Sequence, residues 1–524
     1  MSYLVHHLLR TSAKKDPSKE ALVHKGESLT YSQIEERTDL FARGLVQAGL
    51  RRGERVGIFL EKSINEALSI FAVLKAGGVF VPINNLLFPD QVRHIINDCQ
   101  MKAIITPGGK LKEIRDGLPN TPSIEFIVSV DGGHGKKQIP NLFYMDDFAR
   151  MGAGEAPKDA CISQDLAAIL YTSGSTGRPK GVMLSHANLL AGSQIVSDYL
   201  GITRDERILS ILPFSFDYGL NQLLTAFQHG GTIVLLNFRF PNEIIQALLT
   251  GRITGLAGVP PLWSLIAQPS SSLHKKQFPH LRYITNSGGT MPLTVLDSLR
   301  KALPKTKVFL MYGLTEAFRS CYLPPEELDK RPTSFGKAIP DTEIFLVNGE
   351  GELCKPGEVG ELVHRGPTVS LGYWGLPEAT ARVLRPNPLL PSELQHTERV
   401  CYSGDLVKAD EEGYFYFVTR GDATIKSSGY RISPNEVEQV LYQSGRLREA
   451  AVIGIPDDVL GQAIKAFVVP RDGERLEGAE ILSYCASKMP RYMVPRFMEI
   501  LGELPKTSSG KIDYPALRRL ESPA

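Results

Sequence analysis

The stretch Tyr171-Thr-Ser-Gly-Ser-Thr-Gly-Arg-Pro-Lys-Gly181 follows the apolar run Leu166 to Leu170. The run reads as a buried strand, and the residues after it read as a loop suited to an anion. Gly174 and Gly177 let the backbone turn so that its N–H groups approach a ligand. Thr172, Ser173, Ser175 and Thr176 add hydroxyl donors, and Lys180 adds charge. A polyphosphate fits such a cradle. The spacing is not GxxxxGK[ST], because Lys180 follows Gly177 by three residues and no Ser or Thr follows the Lys. Alone, a Gly-rich turn reads equally as a plain strand-to-helix connection, so its meaning depends on the rest of the chain.

At 524 residues the chain is too long for one core and divides into domains. A hydrophobic content of 42% and a charged content of 22% place it with ordinary soluble proteins. A formal net charge of +2 argues against a nucleic-acid binder, which usually carries a strongly basic face. Cysteines at 99, 161, 321, 354, 401 and 485 lie far apart with no CxxC pair, which suggests neither a metal site nor a disulfide framework and suits a reducing cytoplasm. The start, Met1-Ser-Tyr-Leu-Val-His-His-Leu-Leu9, lacks the order of a signal peptide. The apolar region Ala67 to Ile83 is broken by Lys75 and Gly77-Gly78, so it reads as a helix followed by a strand rather than a membrane span.

From Leu29 to about Val130 helix and strand patterns alternate. Ser32 with Glu35 predicts a capping box for a helix ending near Gly49, and Ser63 with Glu66 predicts another before Ala67 to Ala76. Val56 to Leu60 and Val79 to Val81 are strand-like. Such alternation predicts a mainly parallel sheet covered on both faces. Residues 131–160, with Gly-Gly-His-Gly-Lys-Lys and scattered Pro, read as surface linker. Alternation resumes with Ile208 to Leu212, a helix from Tyr218, Thr232 to Leu236, a helix from Asn242, Leu256 to Val259 and Tyr283 to Thr285, a second α/β layer. Beyond about residue 335, short runs at Glu343 to Val347, Glu361 to His364 and Tyr414 to Val418 predict a small β-rich subdomain. Ser433-Pro-Asn-Glu436 predicts a capped helix, followed by strands near Ala451 to Ile455 and Ile464 to Val469 and a helix from Glu480, an α+β unit able to fold alone. The predicted fold class is α/β. The expected division is a large domain over 1–419, a hinge at 420–425 and a small domain over 426–524.

Four further constellations stand out. Asn286-Ser-Gly-Gly-Thr-Met-Pro292 lies between a strand and a helix, where backbone amides can face a ligand, though a plain turn reads the same way. Tyr312-Gly-Leu-Thr-Glu316 follows the strand Val308 to Met311, and a carboxylate beside a hydroxyl there can hold Mg2+ against phosphate oxygens. Tyr402-Ser-Gly-Asp-Leu406 sets Asp405 where it can accept two ribose hydroxyls, and Arg420 adds a fixed cation; an Asp in a turn is the plainer reading. Leu504-Pro-Lys-Thr-Ser-Ser-Gly-Lys511 places a long cation on a Ser/Gly-rich loop.

Together these motifs, in this order, resemble the adenylate-forming enzymes: acyl-CoA synthetases, nonribosomal peptide synthetase adenylation domains and firefly luciferase. The resemblance runs from about Tyr31 to Lys511. Leu212-Pro-Phe-Ser-Phe-Asp-Tyr-Gly-Leu220 and Tyr312-Gly-Leu-Thr-Glu-Ala-Phe-Arg-Ser320 are most similar to free-standing AMP-forming acyl-CoA ligases found with exosortase systems. The resemblance implies ATP and Mg2+ as cofactors. Thr172 to Gly177 with Lys180 would hold phosphate. Ser287, Gly288 and Gly289 would border adenine and the acyl group. Tyr312 with Gly313 would pack on adenine, Thr315 would contact phosphate and Glu316 would bind Mg2+. Asp405 and Arg420 would take the ribose, Lys511 would reach the reacting carboxylate and α-phosphate, Asp422 would be the hinge, and Gly429 would line the thiol tunnel.

The activity so implied joins a carboxylic acid to a thiol through acyl-AMP, with CoA or the phosphopantetheine of a separate carrier protein as acceptor. Phe216 and Asp217 face the acyl group in this family. Asp217 has two readings: an N-cap for the helix from Tyr218, or the partner of a substrate ammonium in a free-standing amino-acid ligase. A non-catalytic nucleotide-binding protein or a luciferase-type oxygenase would carry the same adenylation motifs.

Overall fold

The run Leu166–Thr172 is a strand, paired parallel to Val79–Pro82 on one edge and antiparallel to Lys180–Ser185 on the other. The Gly-rich loop therefore joins two antiparallel neighbours, with Thr172 opposite Lys180, and is not a strand-to-helix turn. The helix comes one strand later, at His186–Leu200, where the Ser185 hydroxyl accepts from Asn188 N in a capping box. The computed structural model describes residues 2–114, 121–131, 141–151, 158–172, 179–421, 423, 425–427, 430–457 and 460–521. Ser173, Gly174, Ser175, Thr176 and Gly177 of the loop lie outside these, as do Asp422 and Gly429.

Among the described residues, the strands assemble as the alternation predicts. A seven-stranded sheet runs 142–144, 126–129, 103–106, 55–58, 79–82, 166–172, 180–185, and all but its last pairing are parallel. A nine-stranded sheet runs 337–338, 317–323, 307–314, 283–286, 255–258, 207–210, 232–235, 20–24, 27–30, parallel through its centre and antiparallel at both edges. Strands such as Val79–Pro82 and Ala103–Thr106 are buried along their whole length, as a parallel sheet covered on both faces requires. One core cluster links the sheets: Phe71 of the helix Ile64–Lys75 stacks on Phe227 of the helix Asp217–His229 at 5.0 Å.

Local signals are partly shifted. The Ser63 hydroxyl accepts from Glu66 N as expected, but the helix Tyr31–Gln47 is capped by Thr30 with Gln33, not by Ser32 with Glu35. Thr30 lies in extended backbone and Ser32 is already helical, so only the former can turn its hydroxyl to the exposed amides. The stretch expected as linker also contains structure. Leu142–Tyr144 adds an edge strand, and the following helix Met145–Met151 buries Phe148 against Phe41, Phe143 and the bare backbone of Gly44. One aromatic anchor outweighs the polar composition around it.

The β-rich region is a five-stranded sheet built on the long strand Arg399–Ala409, which pairs with Val359–Arg365, Leu384–Pro386 and Phe415–Arg420. The C-terminal part packs the helices Pro434–Gln443 and Gly478–Lys488 on a sheet formed by Leu447–Asp457, Gly461–Pro470 and Phe497–Ile500, with its own core. Ser433 caps the first of these helices through Glu436 N. Among the described residues no helix is long and apolar enough to cross a membrane.

Candidate active site

The site forms where the ends of the strands Tyr283–Asn286 and Lys307–Leu314 meet the β-rich sheet and a loop from the C-terminal part. That loop is a tight closure: Lys506 bridges Ile512, Thr507 N donates to the Lys511 carbonyl at 2.7 Å, and Lys511 N donates to Thr507 Oγ1 at 3.2 Å. Gly510, at φ +82°, supplies the left-handed turn. Asn84 of the large domain donates from Nδ2 to the Ser508 carbonyl at 2.7 Å and ties the loop down.

Lys511 consequently points into the large domain. Its Nζ lies 4.8 Å over the Phe216 ring, and its Cε lies 2.6 Å from where a Cβ on Gly288 would stand. Gly288 has φ +81° and Ser287 beside it is buried, so this turn presents backbone to the lysine. Burial pushes the Lys511 ammonium below the ordinary lysine range; Asp217 and Asp405 act against that shift, whereas Arg319 and Arg420 reinforce it. An anion brought to this point restores the charged form.

Two further carboxylates, Asp405 and Glu316, are each held by a tyrosine hydroxyl. Asp405, buried on the long strand, accepts from the Tyr312 hydroxyl at 2.6 Å and faces Arg420 Nη1 at 3.5 Å; its own amide donates to Ser403 Oγ. Burial and then the Asp405 charge hold the Tyr312 phenol well above its ordinary value, so it stays a donor. The Tyr312 ring stacks on Phe335 at 4.7 Å, and Gly313 follows where a Cβ would press on the Arg319 backbone at 3.1 Å. Glu316 accepts from the Tyr373 hydroxyl at 2.6 Å, and Lys180 Nζ lies 5.4 Å over the same Tyr373 ring. Tyr373 reaches this place because Val182 bridges it and Trp374 N donates to the Gly181 carbonyl.

Asp217 departs from its expected capping role. The helix Asp217–His229 takes Phe216 as its N-cap residue, without a side-chain cap bond, and Asp217 is the first helical residue. Its carboxylate instead accepts from Arg319 Nη1 at 3.1 Å and from Thr315 Oγ1 at 3.4 Å, all three side chains being buried. The buried guanidinium, a charged donor, is the stronger partner and takes the carboxylate.

The structure thus gathers Lys511, Phe216, Asp217, Thr315, Ser287 and Gly288 on one side, with Tyr312, Gly313, Asp405 and Arg420 beside them. Glu316 and Lys180 meet through Tyr373. Gly289 stands at the rim of the same turn, its carbonyl accepting from Asn286 Nδ2 at 3.0 Å. Three participants escape sequence reasoning. Arg319 sits inside a motif that carries the family likeness, where a lone charge in an apolar strand was the available signal. Tyr373 and Asn84 carry no motif and are placed only by tertiary pairing. A carboxylate on a strand, a second carboxylate beside a hydroxyl and a sheltered lysine form a set able to hold a nucleotide and neutralise a reacting anion.

Such a set on a two-part α/β scaffold defines a nucleotide-using acid-activating enzyme. The chain belongs to the AMP-binding enzyme family: residues 9–374 match its family model, and residues 436–511 match that of the AMP-binding enzyme C-terminal domain. It is 33% identical over 512 residues to a feruloyl-CoA synthase of Amycolatopsis sp, covering 97% of each chain. It is 30% identical over 537 residues to a long-chain-fatty-acid–CoA ligase of Bacillus subtilis (strain 168), covering 96% of this chain and 92% of that one. The solved structure of an anthranilate CoA ligase in complex with anthranoyl-AMP superposes with a TM-score of 0.89 at 26% identity, covering 99% of this chain and 97% of that one. The protein is an AMP-forming acid–thiol ligase of the acyl-CoA synthetase type.

Proposed function

We propose that this crevice activates a carboxylic acid as acyl-AMP and that CoA then accepts the acyl group, with Lys511 in its present place serving the first step. The observation that carries the reading is the insertion of Lys511 between Phe216 and Gly288, within electrostatic reach of Asp405 and Arg420. In that step an oxygen of the acid attacks the α-phosphorus of ATP and the bond to pyrophosphate breaks. Both reactants are anions, so the barrier falls only where fixed cations meet them. Lys511 neutralises the attacking carboxylate and the α-phosphate; Lys180, with Thr172 to Gly177, serves the departing phosphates; Asp405 and Arg420 take the ribose.

The donors beside the phosphates fit Mg2+. Glu316 spends one oxygen on Tyr373 and keeps another lone-pair face, and Thr315 adjoins it. When bound, Mg2+ supplies positive charge to the phosphate oxygens. Tyr373 orients Glu316 for it.

In the second step a thiolate attacks the acyl carbonyl carbon and AMP leaves. Lys511 has no part in that exchange, so the C-terminal part turns about residues 420–425, with Asp422 as pivot and Gly429 brought to the thiol path. The bond from Gly421 N to the Gly404 carbonyl at 2.7 Å anchors the near side of that turn. The division into a large domain over 1–419 and a small one over 426–524 follows from the same reading, and free cysteines among the described residues suit a cytoplasmic setting. CoA is favoured over a carrier protein by the named CoA ligases among the relatives. Amino-acid activation is disfavoured because Asp217 is already neutralised by Arg319.

The test is acid-dependent ATP–pyrophosphate exchange, followed by thioester formation with CoA or with a phosphopantetheinylated carrier. Exchange with transfer to CoA is expected. Exchange with transfer only to the carrier moves the acceptor; nucleotide binding without exchange for any acid refutes the ligase.

A further inference from the structure

The acid at the start of the helix Asp217–His229 and the arginine that meets it form a buried pair whose bonding is incomplete. Arg319 is 2% exposed and Asp217 is 4% exposed. Arg319 Nη1 donates to Asp217, but its Nε and Nη2 are buried with no hydrogen-bond partner among the described residues. The guanidinium is not free to turn toward water: its centre lies 4.7 Å over the Tyr218 ring and 5.5 Å from that of Phe318, while the Tyr218 hydroxyl is engaged by Thr285. The backbone of Arg319 is at φ +86°, a left-handed conformation that a non-glycine residue holds only where its surroundings demand it. Buried guanidinium donors are rarely left unmade, so Nε and Nη2 call for an acceptor that the described residues do not supply, an ordered water or a ligand.

The position of the pair says what that ligand is. Phe216, which adjoins Asp217, lies under Lys511, and Thr315 bonds Asp217 directly, so the pair stands beside the place where the reacting carboxylate is held. The pair is itself neutral. A substrate ammonium would share Asp217 with a guanidinium, and a second substrate carboxylate at Arg319 would lie beside Asp217. Each charged substituent meets a like charge, whereas an uncharged oxygen meets none. A bare hydrocarbon chain leaves both donors unmade.

We infer that Arg319 selects the substrate: the acid activated here carries an uncharged acceptor oxygen, as a hydroxyl, carbonyl or ether, on its acyl part, and that oxygen receives the free N–H groups of Arg319. This rests on the crevice being the acyl-adenylation site. Sites that hydrogen-bond a substrate oxygen discriminate strongly against the analogue lacking it, because the protein groups are then left unpaired.

Pyrophosphate exchange measured on the wild type with acids of matched length, unsubstituted, hydroxy- or keto-substituted, amino-substituted and dicarboxylic, tests the inference. At least about a tenfold preference in kcat/KM is expected for an uncharged oxygen at some position along the chain. Arg319→Met should erase it by lowering the oxygen-bearing acids toward the unsubstituted ones. Because removing Arg319 alone strands the Asp217 charge, Arg319→Met combined with Asp217→Asn provides a version with neither the charge nor the donors at 319, with the same expectation. Equal rates for unsubstituted acids, a preference for the amino or dicarboxylic acids, or the same loss for every acid in the variants would overturn the inference and leave the ligase intact. Exchange with no acid at all would overturn the ligase reading itself.

Discussion

The Lys511 side chain rests on the bare backbone of Gly288, with only 2.6 Å between its Cε and the position a Cβ would take. Alanine at 288 would fill that space and would also be strained at φ +81°. Gly288→Ala is therefore expected to displace the lysine and slow pyrophosphate exchange at least about tenfold, while thioester formation from supplied acyl-AMP stays within about twofold, a gap set by the distance dependence of charge stabilisation. Parallel losses in both half-reactions would mean that the turn serves the acyl group and not the lysine.

Removing the ammonium outright is more severe. Lys511→Ala should cut exchange by at least about a hundredfold, the scale of one electrostatic contact aimed at a transition state. Because burial lowers the lysine in the free protein, the alkaline limb of kcat/KM should begin below the ordinary lysine value, and Lys511→Arg should move it upward. A limb unmoved by arginine would assign it to another group.

Asn84 supplies a subtler perturbation. Its single bond to the Ser508 carbonyl holds the lysine loop against the large domain. A hydrogen bond of this kind has a net worth of about 0.5–1.5 kcal/mol, so Asn84→Ala should lower exchange roughly twofold to tenfold without altering thiol transfer. No change in exchange would show that the loop is held elsewhere.

Asp405 tests the nucleotide side. Asp405→Asn keeps the shape and loses the charge that Tyr312 and Arg420 address. KM for ATP should rise at least about tenfold, equivalent to about 1.4 kcal/mol, with KM for the acid little changed. A selective rise in the acid KM would reverse the assignment of the two ends of the crevice.

Acid stability draws on buried histidines, His364 and His186 among them. His364, between Ser320 Oγ at 3.0 Å and Thr368 Oγ1 at 3.0 Å, is held neutral by burial down to about pH 3, and burial lowers His186 to about 4. Both titrate near 6.5 when unfolded, so below that pH the unfolded chain binds protons that the folded chain does not. Stability is then full above about pH 6.5 and falls as pH drops toward 4, by up to about 1.4 kcal/mol per pH unit for each histidine. Urea unfolding from pH 7.5 to 4.5 measures the slope; His364→Gln should reduce it by one proton if the variant folds, and a flat wild-type profile would contradict the burial.

Periodicity makes the sheets legible. Val79 to Val81 and Tyr283 to Thr285 are strands where their apolar runs fall, since burial on both faces leaves little choice of residue, and the half-buried Glu343 to Val347 is a strand where its β-like run falls. The site is legible through motifs, as with Lys511, Tyr312 and Asp405, because each sits where a strand or tight loop ends. Asp217 reads as a cap because a helix start is a local signal, whereas its true partner comes from 102 positions away along the chain. Phe148 is hidden for the same reason: its polar surroundings describe the surface of a helix whose single buried ring meets Phe41 and Phe143.

One edge of the nine-stranded sheet is made by the hairpin of strands 20–24 and 27–30, with Leu22 in register with Ile233. During synthesis that segment must wait for about 210 further residues before its partner strand leaves the ribosome, roughly 10 to 40 s at ordinary elongation rates. For that interval the apolar Ala21 and Leu22 and an unpaired strand edge have no place to dock. The chain is therefore exposed to aggregation over that interval, and a chaperone bound to residues 20–30, released once residue 235 has emerged, is the assistance this topology calls for.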